Sequence, residues 1–157
     1  MKMKRTTTWF TTIVSLGIAA GLLLTTRTRP AFASSGQSGD IQITKECSQD
    51  TGAAGSFCTI TSSNLAQIPV GTKVYYDQTV GVPAGMLDSN VVLRVGQANW
   101  AVGRCTLDGS IGAGICTFSD GVGPLTGFTG RVVVSHTGGP DYAWAGSYHF
   151  NQQAGQQ

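Results

Sequence analysis

The chain has 157 residues, with ten Lys and Arg against eight Asp and Glu. Half of the basic residues (Lys2, Lys4, Arg5, Arg27 and Arg29) precede Ala33, and the other five face all eight acids. The body is therefore mildly acidic, lacks a basic stripe for phosphates, and is not expected to bind nucleic acid.

An export signal is expected at the start. Met1-Lys2-Met3-Lys4-Arg5 is basic, Ile13 to Leu24 is largely apolar, and Ala31-Phe32-Ala33 supplies an A-x-A cleavage site. Arg27 and Arg29 after the apolar run also suit an uncleaved anchor, but the run is short for a span of about 20 apolar residues. Residues 1–33 are thus read as a cleaved signal peptide that directs a secreted, periplasmic or cell-envelope protein, with no stable membrane insertion afterwards. A polar lead at 34–39 and a Gln-rich tail at 151–157 are expected to fray. Residues 40–150 are long enough for one domain with one core.

Two matched cysteine intervals follow. Cys47-Ser-Gln-Asp50 leads to Cys58-Thr-Ile60, and Cys105-Thr-Leu-Asp108 leads to Cys116-Thr-Phe118 at the same spacing. Four cysteines allow three pairings, and sequence alone does not choose among them. Geometry favours the local pairs, 47–58 and 105–116: facing residues of a hairpin lie about 4.5–5.5 Å apart at Cα, which a disulfide can bridge. A metal site built from all four would more often use close C-x-x-C pairs. In an exported chain, structural disulfides are the expectation.

Between and after the cysteines, short β-rich runs alternate with Gly, Asp, Asn and Pro clusters. The expected strands are Ile41 to Cys47, Phe57 to Ser62, Thr72 to Val80, Asn90 to Val95 and Ala98 to Cys105. Three more are Gly114 to Phe118, Phe128 to His136 and Tyr142 to Phe150. Eight strands with tight connections predict an all-β fold, an antiparallel β-barrel or sandwich with two hairpin disulfides. The many strand glycines suit the curvature and bulges of a small barrel. Pairing Cys105 with Cys116 sets Gly103 opposite Phe118, whose ring would cover the glycine backbone. Period two puts Tyr142, Trp144, Gly146, Tyr148 and Phe150 on one face, which should meet the core.

The final third carries a resemblance. After the Cys105–Cys116 hairpin come Ser119-Asp-Gly-Val-Gly-Pro-Leu-Thr-Gly-Phe128, Arg131-Val-Val-Val-Ser135, Gly138-Gly-Pro140 and Tyr142-Ala-Trp-Ala-Gly-Ser-Tyr-His-Phe150. Gly121, Gly123, Gly127 and Phe128 form a Gly-x-Gly-x-x-x-Gly-aromatic stretch, and Gly146, Tyr148 and Phe150 a Gly-x-Tyr-x-Phe close. This resembles the barrel of the allene oxide cyclase and dirigent superfamily, in particular its small exported bacterial members. The resemblance covers Thr72 to Phe150, with the first hairpin fitted by strand count. It implies an eight-stranded antiparallel β-barrel with an apolar cavity that steers a reactive guest, and a homo-oligomer, trimeric in plant relatives. The polar pocket residues of those relatives have no motif match on this chain, so no catalytic role carries over.

Several residues are candidates for chemistry. Asp77 shares a strand face with Lys73 and Tyr75. Lining a cavity, it would act as acid or base with Tyr75 as partner. The plainer reading turns that row to solvent and Val74 and Tyr76 inward, because charged groups are seldom buried unpaired. Arg94, among Val91, Val92, Leu93 and Val95, would bind a carboxylate guest or pair with an aspartate if it faced inward. Trp100, Tyr142, Trp144 and Tyr148 are the candidate ligand-binding residues, with ordinary core packing as the commoner fate of such rings. His136 and His149 fall on adjacent strands, too few for a zinc site, and no cofactor or metal is expected. There is no G-x-S-x-G elbow. Gly121-Val-Gly123 lacks the Lys of a phosphate loop and opens no helix.

Three functions fit. One is a secreted barrel that binds or steers a small apolar or aromatic ligand without a redox centre of its own. A second is a cyclase or isomerase acting by confinement. The third is a structural or interaction module of the cell envelope with a filled core, since small barrels often fill their interior with side chains.

Overall fold

The computed structural model describes residues 36–81 and 84–151; the expected signal peptide, Ser34–Ser35 and the tail beyond Asn151 lie outside the described residues. Eight strands follow in order: β1 (Ser38–Glu46), β2 (Phe57–Ser63), β3 (Lys73–Tyr76), β4 (Met86–Val95), β5 (Asn99–Asp108), β6 (Ala113–Gly121), β7 (Phe128–Gly138) and β8 (Asp141–Phe150). Each pairs antiparallel with its chain neighbour, and β1 pairs with β8 to close the barrel. Closure leaves no strand edge exposed to pair with another chain.

Period-two alternation sets the interior. β1 buries Ile41, Ile43 and Lys45, β4 buries Leu87, Ser89, Val91 and Leu93, and β7 buries Phe128, Val132 and Val134. The residues between them face out. The expected strands are all present, with shifted ends. β3 stops at Tyr76 rather than Val80, because the Asp77 backbone N–H turns to the Ser89 hydroxyl at 3.0 Å. β4 begins at Met86, where Asp88, Ser89 and Asn90 disguise a strand as a polar loop. Part of the lead expected to fray is structured: Ser38 and Gly39 pair with His149 and Tyr148, and the Phe150 N–H donates to the Gln37 carbonyl at 2.8 Å. Gly123–Leu125 forms one 3-10 turn.

Both local disulfides are formed, Cys47–Cys58 and Cys105–Cys116, with Cα separations of 4.2 and 4.1 Å. Each closes a short loop and contributes about 3 kcal/mol, mainly by restricting the unfolded chain. Gly103 pairs with Phe118 as the cysteine register requires. A Cβ at Gly103 would lie 2.7 Å from the Phe118 ring and 2.3 Å from the Thr117 carbonyl oxygen, so only glycine fits. Just beyond that pair a bulge opens opposite Ala101 and Val102. Its extra residue, Asp120, has a left-handed φ of 61°, and its carboxylate accepts the Gly121 N–H at 2.8 Å. Aspartate tolerates this conformation better than most side chains.

The two ends of the barrel differ. At the base, the β2–β3 connection supplies Leu65 and Ile68, the 3-10 turn supplies Leu125, and β7 and β8 supply Phe128 and Phe150; all five are buried. Phe128 stacks on Phe150 with centroids 5.4 Å apart, and Phe118 on Trp144 at 5.3 Å. This column plugs the base. At the other end the β1–β2, β3–β4, β5–β6 and β7–β8 connections stand around an opening.

Candidate functional site

The open end holds a cavity of about 330 Å³, within the size range of about 300–1,000 Å³ common to ligand pockets. All four loops contribute to its wall, among them Asp50, Val80, Asp108 and Pro140. Hydrogen bonds lock the loops together. The Cys47 N–H donates to the Pro140 carbonyl at 2.9 Å, Val80 N–H to Gly52 at 2.9 Å, and Gly109 N–H to Gly85 at 2.8 Å. Gly112, with φ +60°, lies so close to His136 that a Cβ would meet the His136 Cβ at 2.6 Å. Glycine there keeps the β5–β6 turn tight against β7.

Lys45 forms the floor. It occupies the third inward position of β1 after Ile41 and Ile43, and is 2% exposed. Its Nζ is hydrogen-bonded to the Tyr76 hydroxyl and lies 3.8 Å from Cys58 Sγ. Three aromatic rings surround it, with centroids 5.1 Å (Tyr76), 5.3 Å (Tyr142) and 5.1 Å (Trp144) from Nζ. No carboxylate reaches it: among the described residues the one ion pair is Arg104–Asp88 on the outer face, at 2.6 Å.

These surroundings set the protonation chemistry. Burial away from water disfavours the ammonium form and lowers the Lys45 pKa from 10.5 to about 7, against a smaller opposing pull from the Asp50 carboxylate. Burial raises the Tyr76 pKa, and the nearby Asp50 and Tyr142 charges add to that rise. Tyr76 therefore holds its proton while Lys45 readily gives one up. Asp50 is fixed by its own loop, accepting the Gly52 N–H at 3.0 Å and the Ser56 hydroxyl at 2.6 Å. Close by in the interior, the indole N–H of Trp144 is buried without a hydrogen-bond partner. The floor thus offers an amine that is neutral or charged near pH 7, a phenol donor and ring faces, which suits a guest with an apolar body and one polar group.

The sequence candidates fall in different places. Asp77 lies outside the barrel. The Asn90 amide and Ser89 hydroxyl donate to its carboxylate at 3.0 and 3.2 Å, and these bonds, Asn90 first, hold its pKa below the usual carboxylate range. Arg94 is also outside, its guanidinium donating to the Gln97 carbonyl at 3.3 Å. The two occupy separate outer-face concavities, Arg94 beside Lys73 and Tyr75, Asp77 beside Asn90 and Arg104. Neither reaches the cavity, because β3 and β4 turn Tyr76, Val91 and Leu93 inward instead.

Of the four aromatic candidates, Tyr142 lines the cavity and Trp144 faces Lys45 from the interior. Tyr148 packs lower down against Phe150 and accepts a bond from Gln37. Trp100, 39% exposed, lies on the outer face with Val102. His136 and His149 stand at opposite ends of the β7–β8 hairpin, beside Tyr142 and Thr129. Among the described residues no group of three or more His, Cys, Asp or Glu is placed to hold a metal ion.

Lys45 was the residue that charge counting hid. The run Ile41-Gln-Ile-Thr-Lys45-Glu46 alternates cleanly, and the same period-two rule that turns Ile41 and Ile43 inward turns Lys45 inward too. Tyr76 is the inward partner of Val74 by the same rule. Comparison with protein-family models, with curated proteins and with solved structures finds no match to this chain.

Proposed function

We propose that this chain is an exported ligand-binding barrel that takes a small apolar or aromatic molecule through its open end, polar group down, onto Lys45 and Tyr76. The observation that carries this reading is the buried amine on the cavity floor with no carboxylate partner. Burying such a group costs several kcal/mol. A polar guest group hydrogen-bonded to Nζ would offset that cost. The resemblance of the final third to the allene oxide cyclase and dirigent barrels supports the same reading. So do the two disulfides, which are consistent with an oxidising compartment outside the cytoplasm.

A second reading draws on the base. Its packed Leu65, Ile68, Leu125, Phe128 and Phe150 suit an envelope module with a filled core. The two readings separate in a thermal-shift series with indole, p-cresol and benzyl alcohol. At ten times its Kd, a guest stabilises the fold by about 1.4 kcal/mol, a rise of several degrees in Tm. Val80→Trp, an exposed rim position, should block entry and abolish the shift. A Tm indifferent to every guest, or an equal shift in the blocked variant, would leave the filled module standing.

A further inference from the structure

The geometry points to Lys45 as a carbonyl-capturing residue: the guest class is a small aromatic or apolar aldehyde or ketone, held on Nζ as an imine. This rests on the ligand-binding reading and names the chemistry of its guest. Four features of the floor converge on it. Lys45 lines a cavity open to solvent, so a carbonyl compound can enter and water can leave. No carboxylate holds the amine as an ion pair. The Tyr76 hydroxyl is in hydrogen-bond contact with Nζ, and three rings make the surroundings apolar. Apolar surroundings disfavour the ammonium ion and so favour the nucleophilic amine.

The step balances without a further reagent. The Nζ lone pair attacks the carbonyl carbon, and the carbonyl π electrons move to oxygen, which takes a proton relayed from Tyr76. The amine proton returns to Tyr76. The carbinolamine then loses its hydroxyl as water together with the second amine proton, leaving a C=N bond. One amine and one carbonyl give one imine and one water.

The same floor explains why Lys45 should react ahead of other amines. With a pKa near 7 it is substantially neutral at neutral pH, whereas an ordinary lysine is almost wholly protonated. The groups that face it are Tyr76 from β3, Tyr142 and Trp144 from β8, and Asp50 from the β1–β2 loop, with Asp108 at the rim from β5. Capture should therefore rise with pH through about 7 and level off above it.

The test treats the oxidised protein with benzaldehyde and sodium cyanoborohydride at neutral pH, then maps adducts by peptide mass. Reduction fixes the imine as a secondary amine, a mass gain of one guest less one oxygen. The expected result is labelling at Lys45 at least about tenfold faster than at Lys73, because burial leaves more of Lys45 as the free amine. Tyr76→Phe should slow labelling at Lys45 and leave Lys73 unchanged. Labelling of Lys73 or the α-amino group at rates equal to or above that of Lys45 would overturn the inference. Benzyl alcohol, which cannot form an imine, supplies the parallel arm. If it raises Tm while benzaldehyde leaves Lys45 unmodified, carbonyl capture falls and ligand binding stands. If neither compound acts, both fall.

Discussion

Lys45 gives up water for three rings, a phenol and a disulfide sulfur, so its proton is linked to folding. Its pKa is depressed in the folded state, from 10.5 to about 7. Between those values the unfolded chain binds more protons than the folded one, and stability rises with pH across that window. Below about pH 7 the penalty is fully present and flat. Lys45→Met removes the buried amine while keeping an unbranched apolar side chain of similar length. The variant should be more stable than wild type at pH 6 by several kcal/mol, an advantage that shrinks as pH rises towards 9.5. Chemical denaturation of both proteins at the two pH values reads this directly. An advantage independent of pH would mean that Lys45 is charged or neutral alike in both states. The raised pKa of Tyr76 acts above pH 10, where it lowers stability, and so leaves this window clear.

At the scale of elements, the hairpins share one staple chemistry but sit at different depths of the barrel. Cys47–Cys58 lines the cavity, with Cys58 Sγ beside the Lys45 amine, whereas Cys105–Cys116 sits within the packed barrel between β5 and β6. Their closed loops are equal in length, so removing either pair as a double alanine variant should cost about 3 kcal/mol. Guest binding separates them: loss of Cys47–Cys58 should weaken it at least about tenfold, since preorganisation of the mouth goes with the staple, and loss of Cys105–Cys116 should leave it nearly unchanged. Isothermal titration of the two variants with benzyl alcohol distinguishes these outcomes. Gly103→Ala makes a separate structural check. With backbone 2.3 Å from the added methyl, β5 and β6 must part, at a cost of about 1–3 kcal/mol in unfolding free energy.

The same elements show how far the sequence could be read. Eight strands, the barrel and both disulfides were legible, because alternation and cysteine spacing are local signals that the sheet register obeys. Strand ends were not, because the first half of β4 carries Asp88-Ser89-Asn90: Asp88 and Asn90 bond Arg104 and Asp77 on the outer face, and Ser89 turns inward. For the candidate site, Tyr142 and Trp144 were legible as an inward aromatic row. Lys45 obeys the same alternation, yet its charge argues against burial, since an unpaired buried ammonium is costly. That cost marks it as the residue with a task beyond folding. Asp77 and Arg94 stand out by their charge, and both sit outside, Asp77 just past the end of β3 and Arg94 on the outer face of β4.

For the molecule as a whole, a plugged base and an open mouth occupy opposite ends of the barrel. The two should respond separately to change. Leu125→Ala at the base empties a fully buried site and should cost about 2–5 kcal/mol, with guest affinity at the mouth unaltered in calorimetry. Val80→Trp should do the reverse. Coupled loss of both properties in either variant would argue that the barrel interior behaves as one cooperative unit, without a separable site.

The most direct test of a guest site on Lys45 is a pH titration by NMR of protein labelled at lysine Cε, with and without benzyl alcohol. Lys73 serves as the internal reference on the same sheet. The account predicts a Lys45 resonance that titrates near 7, well below the ordinary lysine value of 10.5, and that shifts when the guest is added. A Lys45 that titrates near 10.5, with a resonance indifferent to the guest, would contradict it.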